Sequence, residues 1–297
     1  MNKILIIGCG DIGRRVAKLA IEGGGTVTAL ARSEKSAKRL EAEGVAAVRG
    51  DLDGMEPIGG LPTKGATVFY FAPPPGGGML DTRVRVFCAS VEPGEEPAKL
   101  VYISTSGVYG DCGGATVTEE TPVNPQTARA RRRLDAETLL AGWGKGRGIP
   151  VVILRVTGIY GPGRLPLARI REGHPVLRPE DASYTNRIHA DDLVRVCLAA
   201  AEKGEDGEIF NVSDGQAGTM TEYFEAVADA AGLPRPPRIG LDEARKVMTP
   251  LMLSYIAESR RMDNARMLEK LGVQLLYPTL EAGLRASLEG GLPPLRR

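Results

Sequence analysis

Hydrophobic and polar positions follow two alternating rhythms through the first half of the chain. Short apolar runs at 3–7 (KILII), 26–31 (TVTALA), 46–48, 67–71 (TVFYF), 100–104 (LVYIS) and 151–155 (VVILR) read as strands buried on both faces. Amphipathic stretches at 11–22, 81–91 and 125–141 carry helical spacing. The first of these ends at Gly23-Gly24-Gly25, and the third opens with Asn124 as cap and Pro125 at the first helical position. Strand and helix in alternation predict βαβ units, hence an α/β fold with a Rossmann-type doubly wound parallel sheet. Beyond residue 156 the order loosens, and Pro162, Pro166, Pro175, Pro179 and the 234–237 cluster mark loops. The expected division is a core over 1–160 and a smaller mixed α/β region over 161–297, with 209–212 returning to the core as a strand.

The first strand runs into Gly8-Cys9-Gly10-Asp11-Ile12-Gly13, a G-x-G-x-x-G that opens a helix. In that setting it is a dinucleotide fingerprint. Gly8 allows the tight turn, Gly10 lets the backbone approach a pyrophosphate, and Gly13 packs helix on strand. The helix start, with Asp11 and Ile12, offers unpaired N–H groups to the phosphates. The second strand ends at Arg32-Ser33, with no acid at the strand end to accept from a ribose 2′-hydroxyl. Arg32 and Ser33 suit a 2′-phosphate, which favours NADP, with NAD as the alternative. Asp51 and Leu52, after the third strand, are expected at the adenine. Phe71, Ala72 and Pro73, after the fourth, open a Pro/Gly tract that reads by itself as an ordinary exposed loop.

Composition narrows the partners. A net charge of +1 gives no global field for nucleic acid or an anionic membrane. No run of 18 apolar residues exists, so no membrane span is expected. Cys9, Cys88, Cys112 and Cys197 are scattered without C-x-x-C spacing and read as reduced thiols of a cytoplasmic protein. His174 and His189 are the only histidines, and neither has a ligand-spaced neighbour, so no metal site is expected.

From 101 to 110 the chain reads VYISTSGVYG, and this resembles the S-[ST]-x-x-V-Y-G strand end of the extended short-chain dehydrogenase/reductases, the nucleotide-sugar epimerase and dehydratase group. Leu154-Arg155 through Tyr160-Gly161-Pro162-Gly163 is similar to that group's L-R-x-x-x-x-Y-G-P-G. Segments 187–192 (RIHADD), 211–215 (NVSDG) and 263–272 resemble its later motifs in the same order. The resemblance implies an NAD(P)-dependent epimerase, dehydratase or reductase acting on a nucleotide sugar or another hydroxylated, anionic small molecule. It also implies that Phe71, Ala72 and Pro73 lie along the adenosine and nicotinamide ribose of the cofactor, and a homodimer packed through the helices near 81–91 and 125–141. His189 falls in a scaffold segment of the pattern.

Two departures qualify the resemblance. Ile7 stands where extended members carry the first glycine of G-x-x-G-x-x-G. The Y-x-x-x-K pair is missing: Leu134-Asp135-Ala136-Glu137 sets the register, which puts Arg129 at the tyrosine position and Arg133 at the lysine position. Tyrosine and lysine four apart share a helix face, and the lysine makes the phenol a usable acid or base. Arginine stays protonated and cannot replace the phenol. Arg133 can still donate to a ribose, and Thr105 keeps the position that polarises a carbonyl. Arg129 and Arg133 then either clamp a substrate carboxylate or phosphate, or belong with Arg131 and Arg132 to a solvated helix face. Candidate replacement acids are Tyr109 first, then Tyr160, Tyr184, Asp111 and Cys112, although phenols such as Tyr109 and Tyr160 more often serve packing plus one hydrogen bond. Two functions therefore stand: an enzyme with a displaced proton donor, or a catalytically deficient dinucleotide-binding sensor or partner-binding protein.

Overall fold

A computed structural model of the chain describes residues 1–289. Its centre is a seven-stranded, all-parallel sheet. The strands are β1 (Lys3–Ile7), β2 (Thr26–Ala31), β3 (Ala46–Arg49), β4 (Thr67–Tyr70), β5 (Lys99–Thr105), β6 (Val151–Val156) and β7 (Ile209–Val212). Their spatial order is β3-β2-β1-β4-β5-β6-β7, the doubly wound arrangement in which order reverses between β1 and β4 and opens a crevice at the strands' carboxyl ends. One apolar cluster, with Ile4, Ile6, Val16, Phe69 and Leu154, fills one face of the sheet. Leu5, Ile7, Val68, Tyr102 and Leu140 fill the other.

Helices α1 (Asp11–Glu22), α2 (Glu34–Ala42), α3 (Thr82–Ala89) and α4 (Ala128–Arg147) join the first strands. β4 stops one residue short of the expected run. The N–H groups of Phe71 and Ala72 both turn onto the Ile7 carbonyl, at 2.7 and 2.9 Å, and pull the chain across the end of β1.

The α4 boundaries differ from the expected 125–141 at both ends. Its cap is Thr127, whose hydroxyl accepts from the Ala130 N–H. Asn124 lies three residues before that cap, tied into the preceding segment by its N–H on the Val108 carbonyl at 2.8 Å. The helix also runs past Gly142. The Cβ that Gly144 lacks would lie 2.5 Å from Val151 Cγ2, so this glycine serves close helix–strand packing rather than termination.

Past β6, helices α5 (Ala190–Lys203), α6 (Met220–Ala230), α7 (Pro250–Ile256) and α8 (Leu280–Leu288) alternate with two- and three-residue strand pairs. A satellite core of Tyr160, Leu167, Phe224, Val227 and Leu284 holds this region together beside the sheet. None of the described helices is long and apolar enough to cross a membrane.

Candidate functional site

The glycine loop is shaped by contacts a side chain would break. Gly8 has φ +93°, and a Cβ there would lie 2.4 Å from the Ala72 nitrogen. A Cβ on Gly10 would meet nothing within 4 Å, so that face of the loop is open. At Gly13 the Gly8 carbonyl and Ile6 stand at 3.0 and 3.2 Å, which seats α1 on the sheet. The N-terminus of α1 has no side-chain cap, so its first N–H groups remain for an anion. Ile12 is buried in the core, so its part in any phosphate contact is through the backbone. Asp11 accepts from Arg164 at 2.6 Å and Arg15 at 2.9 Å. Burial alone would raise its carboxyl, but those hydrogen bonds hold it below the ordinary range.

Beside the loop lies a hollow lined by Gly8, Arg32, Asp51, Leu52 and Ala72. Asp53 and Arg83 line it too, and the sequence reading missed both. Asp51 Oδ1 takes the Asp53 N–H, which fixes the carboxylate's direction. Pro73 contributes its carbonyl, which accepts from Arg83 Nη1 at 2.8 Å. Phe71 lies at the exit of β4 with its ring 5.6 Å from that of Phe69. Phe71 and Pro73 border the hollow without lining it, and Ser33 departs furthest from the expectation. It does not line the hollow, and its hydroxyl caps α2 in a reciprocal box with Ser36. The open loop, the uncapped helix and the adjoining hollow fit a dinucleotide.

A second cleft, of about 350 Å³, opens past the carboxyl end of β5. Thr105 lines it and caps the following turn, its hydroxyl accepting from the Gly107 N–H at 3.2 Å. Arg129 lines it as well. Its Nη1 donates to Tyr255 Oη at 2.5 Å, and its Cζ lies 4.4 Å from the centre of that ring. Arg187 and Arg260 are further lining cations, against one lining carboxylate, Glu258. Arg187 is buried over the Tyr223 ring at 4.2 Å. Arg260 donates to the Gly110 carbonyl and to Glu258, at 2.6 and 2.8 Å. Three guanidiniums facing one carboxylate make the cleft a place for an anion.

The remaining arginines of α4 separate by direction. Arg133 turns to the end of β5, donating to the Ile103 carbonyl at 2.8 Å and Tyr102 Oη at 3.2 Å. Arg132 is buried and donates to the Gly78 carbonyl, so the expected wholly solvated face does not exist. Tyr109, the first-choice replacement acid, is misplaced for that role. It is 1% exposed and does not line the cleft. Its hydroxyl donates to Asn211 Oδ1 at 2.7 Å and accepts from Arg155 Nη1 at 3.0 Å. Burial pushes its phenol up, away from neutral-pH chemistry. Tyr160 lines the cleft, but it is buried with its hydroxyl turned toward Gly283. His189 caps α5, its Nδ1 accepting from the Asp191 N–H.

Comparison with known proteins agrees with this geometry. The NAD dependent epimerase/dehydratase family matches residues 81–213, and a TrkA-N domain description matches residues 4–56. Protein YeeZ of Escherichia coli (strain K12) is 28% identical over 181 residues, 61% of this chain and 59% of that protein. The chain thus spans about three fifths of that relative's length. The dTDP-glucose 4,6-dehydratase of Streptomyces griseus is 26% identical over 46% of this chain and 44% of its own. Among solved structures, a functionally unknown conserved protein from Silicibacter pomeroyi DSS superposes with a TM-score of 0.79 at 28% identity, covering 97% of this chain and 98% of its own. UDP-glucuronic acid 4-epimerase from Bacillus cereus, in complex with NAD, shares the fold with a TM-score of 0.72 at 19% identity, covering 96% of each chain. Residues 81–213 are thus similar to the NAD dependent epimerase/dehydratase family, and the fold is shared along nearly the whole chain with these solved structures.

Proposed function

We propose that the chain is an NADP-dependent oxidoreductase of the epimerase/dehydratase type, acting on a nucleotide sugar or a similar hydroxylated anion. The observation that carries this reading is the cleft, where Thr105, the Arg129–Tyr255 pair and two further guanidiniums converge. When bound, the dinucleotide supplies a hydride acceptor or donor. The chain's own side chains do the rest. The arginines hold the anionic end of the substrate, and the Thr105 hydroxyl orients the reacting oxygen. Tyr255, as its phenolate, accepts the proton of the substrate hydroxyl as hydride leaves the adjoining carbon, and the resulting phenol returns it in the reverse direction. Arg129, in contact with that oxygen, stabilises it while it carries negative charge. The phenol that α4 lacks thus comes from α7, and its cationic neighbour is Arg129.

Tyr255→Phe is expected to lower turnover about a hundred- to ten-thousand-fold, the usual contribution of a general acid–base group, with NADPH affinity unchanged. A panel of nucleotide sugars assayed with bound cofactor checks it, and a variant as fast as wild type overturns the assignment. The second reading, a cofactor-binding sensor without turnover, draws on the missing α4 phenol and on Arg133 facing the strand end. It predicts tight NADPH binding with no reaction of any sugar on the panel.

The cofactor preference rests on Arg32 in the adenosine hollow and on the start of α2 beside it. NADPH is expected to bind about tenfold to a hundredfold tighter than NADH, the value of one lost charge-assisted contact. Calorimetry with both cofactors decides it, since equal affinities, or an NADH preference unmoved by Arg32→Glu, sink the claim. The proposal includes a cytoplasmic homodimer whose two-fold axis runs beside α3 and α4, helices joined by the Arg85–Asp135 ion pair at 2.6 Å.

A further inference from the structure

The adenosine hollow contains a charge arrangement that a single arginine at the end of β2 does not require. Asp53, on the loop after β3, faces two guanidiniums. Arg83, from the first turn of α3, grips it with both arms, Nε to Oδ1 at 2.6 Å and Nη2 to Oδ2 at 2.7 Å. The remaining arm of Arg83 is fixed on the Pro73 carbonyl. Arg32 approaches the same carboxylate only to 3.6 Å. The side chains are graded in exposure: Arg83 is 19% exposed, Asp53 41% and Arg32 70%. The anchored guanidinium is therefore the inner one, and the outer one keeps its reach. Hydrogen bonds from Arg83 also hold the Asp53 carboxyl below the usual range, so it remains charged at neutral pH.

A carboxylate this close to Arg32 competes with any phosphate for the same guanidinium. A bidentate arginine partner satisfies both of its oxygens and cancels its charge locally. We propose that Arg83 is a positioning residue for cofactor choice: by holding Asp53 off Arg32, it leaves Arg32 to the 2′-phosphate, and Asp53 is the built-in competitor that limits the preference. This rests on the NADP reading above, and it adds that the preference is set by three side chains.

The test is titration of NADPH and NADH against the purified full chain and three variants, read as the ratio of the two affinities. In Arg83→Met the freed carboxylate turns to Arg32, and the ratio is expected to fall about tenfold, the scale of a charge-assisted contact. In Asp53→Asn, a replacement of the same shape on an exposed loop, the ratio is expected to rise. The double variant is expected to recover at least the wild-type ratio, because nothing is left for Arg83 to restrain. Arg83 also supports the Pro73 loop, and loss of that support alone weakens both cofactors equally and leaves the ratio unmoved. An unmoved ratio in Arg83→Met and Asp53→Asn overturns the proposal. So does a double variant no better than Arg83→Met. If Arg83→Met does not fold, a ratio in Asp53→Asn at or below wild type overturns it by itself. A wild-type ratio of one, with the variants still moving as stated, overturns the NADP reading and leaves this inference standing.

Discussion

Gly8→Ala is expected to unseat the fold and the cofactor together. The residue has φ +93°, where an L side chain is strained. Its Cβ would stand 2.4 Å from Ala72 N, 2.7 Å from Ala72 Cα and 2.8 Å from Phe71 C, all backbone atoms that no rotamer change can move aside. Relief requires the β4 exit to move, and the two hydrogen bonds that Phe71 and Ala72 give to Ile7 move with it. Strain of about 1–2 kcal/mol added to overpacking of about 1–3 kcal/mol gives a destabilisation of roughly 2–5 kcal/mol. Urea unfolding measures it, and NADPH titration should find no binding at accessible concentrations. Gly10→Ala separates the two effects. Its Cβ enters open space, so stability should hold while the phosphate loses its close approach. Wild-type stability and affinity in Gly8→Ala would sink the account of the loop.

The second large effect is expected at the buried pair of Glu137 on α4 and Arg155 on β6. Arg155 Nη2 donates to Glu137 Oε2 at 2.9 Å, with both side chains about 95% buried (5% and 4% exposed). Ser104 donates to the same carboxylate, and Arg155 donates on to Tyr109 Oη. Removing one charge leaves the other without compensation in a low-dielectric core. Glu137→Leu or Arg155→Met should therefore each lower stability by about 3–5 kcal/mol. The double variant removes both charges and should lose much less than the sum of the single losses. Denaturant melts of the three variants test this, and single variants within about 1 kcal/mol of wild type would show that the pair is not what fastens α4 to the sheet.

The strands, the glycine turn and α1 were legible because their signals are local. A run such as KILII followed by G-x-G-x-x-G carries its own period and its own turn chemistry. The start of α4 misled because Asn124-Pro125 is a sound cap in isolation. The hydrogen bond that ties Asn124 into the preceding segment goes to the Val108 carbonyl, 16 residues earlier. Gly142 and Gly144 look like breakers until the approach of Val151 gives one of them a purpose. The site residues that escaped the reading are those whose partners lie far away along the chain. Asp53 and Arg83 meet across 30 residues, and Tyr255 meets Arg129, which the sequence did single out, across 126. Tyr109 was mistaken for a chemical group because its partner Asn211 lies 102 residues on. No periodicity encodes such pairs, because only the folded chain brings them together.

The position of β7 bears on what the sheet would present to other chains. It is an edge strand, placed beside β6. Without β7 the margin of the sheet would be β6. That margin is the run VVILRV, all six residues of which are buried in the finished molecule. An apolar, unpaired strand edge is a template for pairing with a neighbouring chain. The same four residues bring Asn211 to the Tyr109 hydroxyl, so Ile209–Val212 both cover that margin and complete the buried polar chain that runs on to Arg155.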